Sequence, residues 1–500
     1  MSKKNKKNDY LFFLLFFLLG IITRIPFVEK IQSHMDGPQY SIGVVRYSFE
    51  QSTPEAPGYP LYIGLGMLFN LLFNDPYKSI LAVSILGSAL GAGILFYLGS
   101  KIYHRNVGIS AAIIFLNGST FYYLGLTAYA FLLIVPTTAL LAYAVYRIFV
   151  LQKDEGMFLG LIFGICLGVR PQEILQIIIL FGLGFIFLSN KEKIKTIISF
   201  ILVTLSWLIP VVNSVGLNQF LGIFSHSSEL ITTRGTLLTN LTAMVKGFLL
   251  SFGISAIFLV YFFRFIKKGV KKPTIFFAAW IFPGLLLNLI LFSDHAGYQM
   301  SYLTGILILI SYAIWKSVGK NKLLFVFTLI LISGFNLYWF FYNRDPNFDK
   351  PYRFLSFHYS EIVKNDIKMG GKIKFIKENF DPKTTLIVTT ALYFRQYMYY
   401  LKDYQVTDIE AVDTNIPGFM YVKRDGKNWN RKEYISKDFS LLINQGIKNV
   451  VFTDDFAKDY IKNYPVKIYT LPGKSTITSI SVPNNVKMFY KYHFIEIKKL

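Results

Sequence analysis

The chain has 500 residues, 53% of them hydrophobic and only 16% charged, with a formal net charge of +23. So apolar a composition points away from a soluble globular enzyme and toward a polytopic membrane protein. The basic residues stand in short clusters between apolar runs, which is how membrane helices are oriented and not how a nucleic-acid-binding face is built.

In chain order, a basic start at Ser2 to Lys7 precedes an apolar run from Leu11 to Val28. That run is too long for a signal-peptide core and lacks a small-residue cleavage site, so it reads as an uncleaved first span. Residues 61–73 are only thirteen long and suit a re-entrant or interfacial helix. Expected spans are 11–28, 79–100, 107–126, 128–150, 157–169, 174–188, 196–212, 241–263, 274–292, 300–315 and 323–342, about eleven in all. The basic clusters at Lys3–Lys7, Lys101–Arg105, Arg147–Lys153, Lys191–Lys195, Arg264–Lys272 and Lys316–Lys322 are then all cytoplasmic. This parity puts the N-terminus inside and the C-terminus outside. It also turns residues 29–78, 118–128, 170–173, 213–240, 293–299 and 342–500 toward one outer side.

Those outer segments hold the polar residues that could carry chemistry. The first has His34-Met35-Asp36-Gly37-Pro38-Gln39-Tyr40, then Glu55-Ala56-Pro57-Gly58-Tyr59-Pro60-Leu61-Tyr62, with a rigid turn at its end. Asp36 can serve as a general base at the membrane boundary or simply as a turn residue before glycine. His34 and Tyr40 flank it, as orienting groups or as plain interfacial residues. Lys78 follows Asn74-Asp75-Pro76-Tyr77 and is either a phosphate partner or a snorkelling lysine. In Arg170-Pro171-Gln172-Glu173, between two short spans, the charges either neutralise each other or line a polar cavity. Asp294-His295-Ala296-Gly297-Tyr298-Gln299 joins two further spans, and the longer loop 213–240 carries His226 and Arg234.

The loop acid followed by Pro-Gly-Tyr-Pro-Leu, directly after the first span, resembles the GT-C superfamily of integral-membrane glycosyltransferases, in its protein O-mannosyltransferase-like branch. The resemblance covers residues 10–340. It implies a sugar taken from a polyprenyl-phosphate carrier, with Asp36 as the catalytic base. Lys78, Arg170, His295, Tyr298 and Arg234 would then serve donor and phosphate. His34, Tyr40, Tyr59, Gln172, Glu173 and His226 would have a lesser part in binding substrate. One departure stands out. Relatives carry a second acid near the start of span 128–150, where this chain has Leu126-Thr127-Ala128-Tyr129-Ala130. Asp36 then acts alone, or Glu55 or Glu173 substitutes, or the chemistry has drifted. No paired acids of metal-binding spacing and no His- or Cys-rich set are evident, so neither a metal nor a cofactor is expected. The single Cys166, inside an apolar run, rules out an internal disulfide.

Beyond Tyr342 the composition turns charged. A helix is expected over 371–380, a strand over 385–390, a helix over 391–401, a short helix over 441–446, and strands over 449–453 and 487–497. The expected organisation is a transmembrane catalytic domain over 1–342 and an extracytoplasmic α/β domain over 343–500. The expected protein is a multi-pass glycosyltransferase of the plasma membrane and cell envelope. Its partners are a polyprenyl-phosphate sugar, membrane lipid, and a glycan, lipid or protein acceptor. The alternative is a transporter or flippase of lipid-linked sugars, which would call for mid-span charges and inverted repeats.

Overall fold

The computed structural model describes residues 3–34, 36–49, 53–55, 57–218, 220–221, 236–261, 271–291, 296–342, 357–408, 418–425, 428–435, 439–443, 446–454, 461, 464–482, 486–491 and 494–499. It divides into two compact units, Met1–Val28 with Tyr40–Glu361, and Glu29–Gln39 with Ile362–Leu500.

The first unit is helical, because its runs are too long and too evenly apolar to leave backbone groups unpaired in lipid. Its early helices are α1 (Lys3–Ile22), α2 (Asp36–Val45, which begins in the second unit), α3 (Pro60–Phe73), α4 (Pro76–Ile102), α5 (Arg105–Asn117) and α6 (Ser119–Leu124). Then come α7 (Ile134–Val145), α8 (Gly156–Val169), α9 (Ile174–Ile186), α10 (Asn190–Val215), α11 (Leu237–Phe252), α12 (Lys272–Ile290), α13 (Met300–Val318) and α14 (Lys322–Tyr342). Among the described residues eight helices are long and apolar enough to cross a membrane. The other three expected spans are shorter. Residues 107–126 break at Gly118 into α5 and α6, where the backbone turns extended and any Cβ would strike the Ser251 carbonyl. Residues 157–169 and 174–188 fold as α8 and α9, of 14 and 13 residues. Helix α3 is also short, 14 residues. At the usual rise that is about 21 Å, less than the hydrocarbon thickness.

Small residues let these helices approach closely, the usual solution where lipid supplies no hydrophobic drive. Gly156 and Gly160 of α8 lie against the carbonyls of Glu192 and Thr196 of α10. The Gly156 amide also donates to Glu192 Oε2 at 2.9 Å. The lower end of α1 is tied down by the buried Asp9, which takes Lys101 Nζ at 2.8 Å and Arg105 Nη2 at 3.0 Å.

The second unit is α/β. Helices α15 (Tyr359–Asn379) and α16 (Ala391–Tyr400) accompany a seven-stranded sheet of order β4-β3-β2-β1-β6-β8-β7. Its strands are β1 (Thr385–Thr389), β2 (Gln405–Asp408), β3 (Gly418–Asp425), β4 (Asn428–Ile435), β6 (Asn449–Phe452), β7 (Lys467–Leu471) and β8 (Ser475–Ser481). The central β1 is parallel to both neighbours and buried along its length, as its unbroken Thr-Leu-Ile-Val-Thr run requires. A second sheet, β10-β9-β5, joins β5 (Phe439–Ile443), β9 (Val486–Lys491) and β10 (Phe494–Lys499).

Three expectations for this region are corrected. Residues 441–443 belong to strand β5, not to a helix, because they pair antiparallel with β9. A short Leu-Leu-Ile run does not declare helix or strand by periodicity, so its partner decides. Residues 487–497 form a hairpin of two strands, with Phe494 opposite Lys491. The helix expected from 371 already begins at Tyr359.

Candidate active site

The Pro-Gly-Tyr-Pro turn sets the first wall of the site. Gly58 and Tyr59 both adopt left-handed backbone conformations, with φ of 102° and 51°. Glycine accepts this freely, whereas a bulky aromatic residue does so at a cost of about 1–3 kcal/mol. The surroundings hold the turn in place. Tyr47 Oη donates to the Gly58 carbonyl at 2.9 Å, and Pro60 opens α3 with its φ already fixed. Buried Tyr40 packs edge-on against Tyr59 and Tyr62, both with ring centroids at 5.2 Å.

The second wall is the break between α8 and α9. Arg170 leaves the helix in an extended conformation, and Pro171 starts a single 3-10 turn that ends at Glu173. The turn folds the two charges onto each other. Arg170 Nη1 donates to Glu173 Oε1 at 2.6 Å, with both side chains buried. The guanidinium also rests on two aromatic rings, 4.6 Å from the Phe131 centroid and 4.4 Å from that of Tyr298. The phenols of Tyr59, Tyr298 and Tyr40 are near enough to act on it electrostatically. Taking such a pair out of water costs several kcal/mol per ion, which an ion pair and two rings only partly offset. Arg170 Nε and Glu173 Oε2 are buried with no hydrogen-bond partner among the described residues. Gln172, half-buried on the same turn, leaves its Oε1 in the same state.

Tyr298 is held from behind. Gln176 Nε2 donates to its carbonyl at 3.0 Å, and Asn288 Nδ2 reaches the same oxygen at 3.5 Å. Ser301 Oγ in turn donates to Gln176 Oε1.

The structure therefore brings together Tyr40, Tyr59, Arg170, Glu173 and Tyr298, which lie far apart in the sequence. Lys78 is not in this group. It is exposed at the start of α4, pairing at 3.3 Å with Asp75, whose carboxylate also caps the helix by accepting from the amides of Tyr77 and Lys78. Residues 126–130 are buried and contain no acid, as the sequence reads. Of the two acids considered in its place, Glu173 lies against Arg170, while Glu55 is exposed on the turn and its carbonyl accepts from the Gly58 amide. His226, Arg234, Asp294 and His295 lie outside the described residues.

Asp36 and His34 belong to the second unit. Asp36 opens α2, and one of its carboxylate oxygens is 3.7 Å from His34 Nδ1. Its amide donates to that same nitrogen at 3.4 Å. Both side chains stay partly open to solvent, 24% for Asp36 and 22% for His34, so the acid can meet a substrate group.

Sequence reading missed Arg24. It lies fully buried at the end of the first span, 4.0 Å over the Tyr122 ring, and donates to Leu116 O and Thr23 Oγ1, each at 2.8 Å. An arginine closing an apolar run was the available signal. Phe131 and Gln176 gave none beyond ordinary apolar and helical spacing. Among the described residues no group of three or more His, Cys, Asp or Glu side chains is placed to hold a metal.

The chain shares the fold of GT-C membrane glycosyltransferases. Residues 55–215 match the family model described as dolichyl-phosphate-mannose-protein mannosyltransferase, a stretch that contains Tyr59, Lys78, Arg170, Gln172 and Glu173. ArnT from Cupriavidus metallidurans bound to undecaprenyl phosphate aligns with a TM-score of 0.58 over 97% of this chain and 100% of that one, at 8% identity. Its apo state gives 0.58 over 96% and 100%, at 9% identity. The apo oligosaccharyltransferase of Archaeoglobus fulgidus gives 0.45 over 81% and 65%, at 13% identity. No curated protein matches the chain in sequence. The GT-C resemblance read from the sequence is thus borne out, and the structural likeness is one of fold.

Proposed function

We propose that this protein is a membrane glycosyltransferase that moves one sugar from a polyprenyl phosphate to an acceptor on the outer face of the plasma membrane. The carrying observation is Arg170, a fully buried cation held between the Phe131 and Tyr298 rings and paired with Glu173. A lipid phosphate enters from the membrane side, and its leaving charge needs a cation kept away from bulk water, where that charge acts most strongly.

In this reading an acceptor hydroxyl attacks the anomeric carbon while Asp36 takes its proton. The bond from that carbon to the phosphate oxygen breaks, and the polyprenyl phosphate departs with both electrons. Arg170, with Lys78 nearer the surface, stabilises the phosphate, and Glu173 holds Arg170 in place. Tyr298, with Arg234 and His295, contacts the donor. His34, Tyr40, Tyr59, Gln172 and His226 bind around the sugar and acceptor. The reaction uses no metal or cofactor, and the acceptor is a glycan, lipid or protein of the cell envelope. The basic clusters set the orientation, with the N-terminus in the cytoplasm and the second unit outside. A flippase reading is not favoured, since the family model matched over 55–215 is that of a transferase.

The test is purified protein in proteoliposomes with membrane extract and a panel of radiolabelled undecaprenyl-phosphate hexoses and pentoses. Transfer of label from one of them, lost in Asp36→Asn, is the expected result. No transfer from any donor, or full activity in Asp36→Asn, would overturn the reading.

A further inference from the structure

The segment that carries Asp36 leaves an apolar helix at Val28 and enters another at Asp36, yet its backbone is held by residues more than 330 positions away. Between Glu29 and Ser33 there is neither helix nor strand to satisfy the amides. Side chains of the second unit do so instead. The Asp366 carboxylate of α15 accepts from the amide of Lys30 at 3.0 Å and from that of Ile31 at 2.8 Å. Asn365 Nδ2, its neighbour, donates to the Ile31 carbonyl at 2.9 Å. Tyr400 Oη, at the end of α16, accepts from the Gln32 amide at 3.0 Å. The segment closes on itself as Glu29 Oε2 takes the Ser33 amide at 2.9 Å and its hydroxyl at 2.6 Å.

The amides of Lys30, Ile31 and Gln32 and the Ile31 carbonyl each have a side-chain partner, and a carboxylate accepting two amides makes the stronger, charge-assisted kind of bond. Gln32 and Asp36 are only four positions apart in the chain. Four residues extend at most about 14 Å, so anchoring Gln32 restricts where the Asp36 carboxylate can lie. Within the second unit, the part after Ile362 thus grips the loop that bears the candidate base.

We infer that Asp366, Asn365 and Tyr400 are positioning residues for the reaction, acting through the segment Glu29–Gln39 on Asp36. The inference rests on the reading of Asp36 as general base. It gives the second unit a function, to hold the base where the acceptor hydroxyl arrives. Misplacing a reacting group by about 1 Å can cost on the order of a hundredfold in rate.

Two readouts on the full-length protein test this. Hydrogen exchange of the Lys30, Ile31 and Gln32 amides should quicken at least tenfold in Asp366→Ala and, at Gln32, in Tyr400→Phe. Glu378→Ala, on the exposed side of the same helix, should leave it unchanged. Transfer from the radiolabelled undecaprenyl-phosphate panel should fall ten- to a hundredfold in kcat in Asp366→Ala, with the donor KM kept. Asp366→Asn, which retains the shape and one acceptor oxygen, should fall in between and covers the case of an unfolded alanine variant. Added to Asp36→Asn, the Asp366→Ala change should cost little more. Unchanged exchange would overturn the inference, as would faster exchange with unchanged kcat or a full additional loss in the double variant. Full activity in Asp36→Asn would sink the base reading, whatever the exchange shows.

Discussion

The Arg170 guanidinium and the Glu173 carboxylate, three residues apart across one 3-10 turn, meet at 2.6 Å with neither side chain more than 3% exposed. Pro171 makes the meeting possible, because it ends α8 and starts the turn that swings Glu173 back. Removing one member leaves the other charge buried and uncompensated, at a cost of about 3–5 kcal/mol. Arg170→Ala and Glu173→Gln should therefore each lower thermal stability in detergent sharply. The double change Arg170→Met with Glu173→Leu should restore much of the stability but no transfer. Recovery of transfer in that variant would reduce the pair to a structural tie.

Asp36→Asn preserves size and most hydrogen bonding while removing the base. Transfer should fall by about two orders of magnitude or more, with membrane insertion and thermal stability close to wild type. Asp36 is 24% exposed at the first turn of α2, where asparagine keeps the shape of the side chain. Transfer near the wild-type rate would remove Asp36 from the mechanism.

Lys78 sits 68% exposed beside Asp75, a pair worth little in stability. Lys78→Ala should leave thermal unfolding unchanged and raise the donor KM, while Lys78→Arg keeps a cation at nearly the same depth and much of the affinity. Equal donor kinetics in all three proteins would make Lys78 a helix-end anchor.

The long spans were legible because twenty apolar residues in a row admit few structures. The local turn at Gly58 and Tyr59 was legible from Pro-Gly-Tyr-Pro for a similar reason, since each residue restricts the backbone. What escaped depended on distant partners. Strand β5 became a strand only through β9, and the anchoring of Lys30 and Ile31 depends on Asp366, 336 and 335 residues away. Arg170 was singled out, whereas Phe131 was not. The need for a companion is visible in a charge at bilayer depth, but its aromatic companion looks like any other core residue. Arg24 shows the opposite failure, a buried charge hidden by its place at a helix end, where arginines are ordinarily solvated.

Burial raises the Asp366 carboxyl above the ordinary aspartate value of 3.8, against the opposing pull of the Ile31 and Lys30 amides. The folded state then binds this proton more tightly than the unfolded chain. Its contribution to stability is full below 3.8 and is lost as pH rises through the raised folded value, after which it is flat. Asp366→Asn cannot titrate, so the wild-type-minus-variant difference in Tm should decline with rising pH across that window and level off above it. A difference that grows with pH there would mean the carboxylate form is the one the fold prefers.

The orientation can be read with cysteines, since Cys166 is buried and nearly silent as background. With the basic clusters taken as cytoplasmic and an even number of crossings between neighbouring clusters, Lys153 and Lys320 are expected inside the cell and Lys78 and Lys383 outside. All four side chains are exposed, so reactivity reports the side of the membrane and not packing. In intact cells a membrane-impermeant maleimide should label Lys78→Cys and Lys383→Cys, and label Lys153→Cys and Lys320→Cys only after permeabilisation. The decisive comparison is Lys78 with Lys383. Helix α3, at 14 residues, is no longer than α8 and about as long as α9, so its length does not decide the matter. The parity of the basic clusters is what keeps residues 29–78 on one side, and the labelling tests it. If Lys78→Cys labels from the inside while Lys383→Cys labels from the outside, α3 is a true crossing. Lys78 would then face the cytoplasm, and its place beside a lipid phosphate on the outer leaflet would have to be given up.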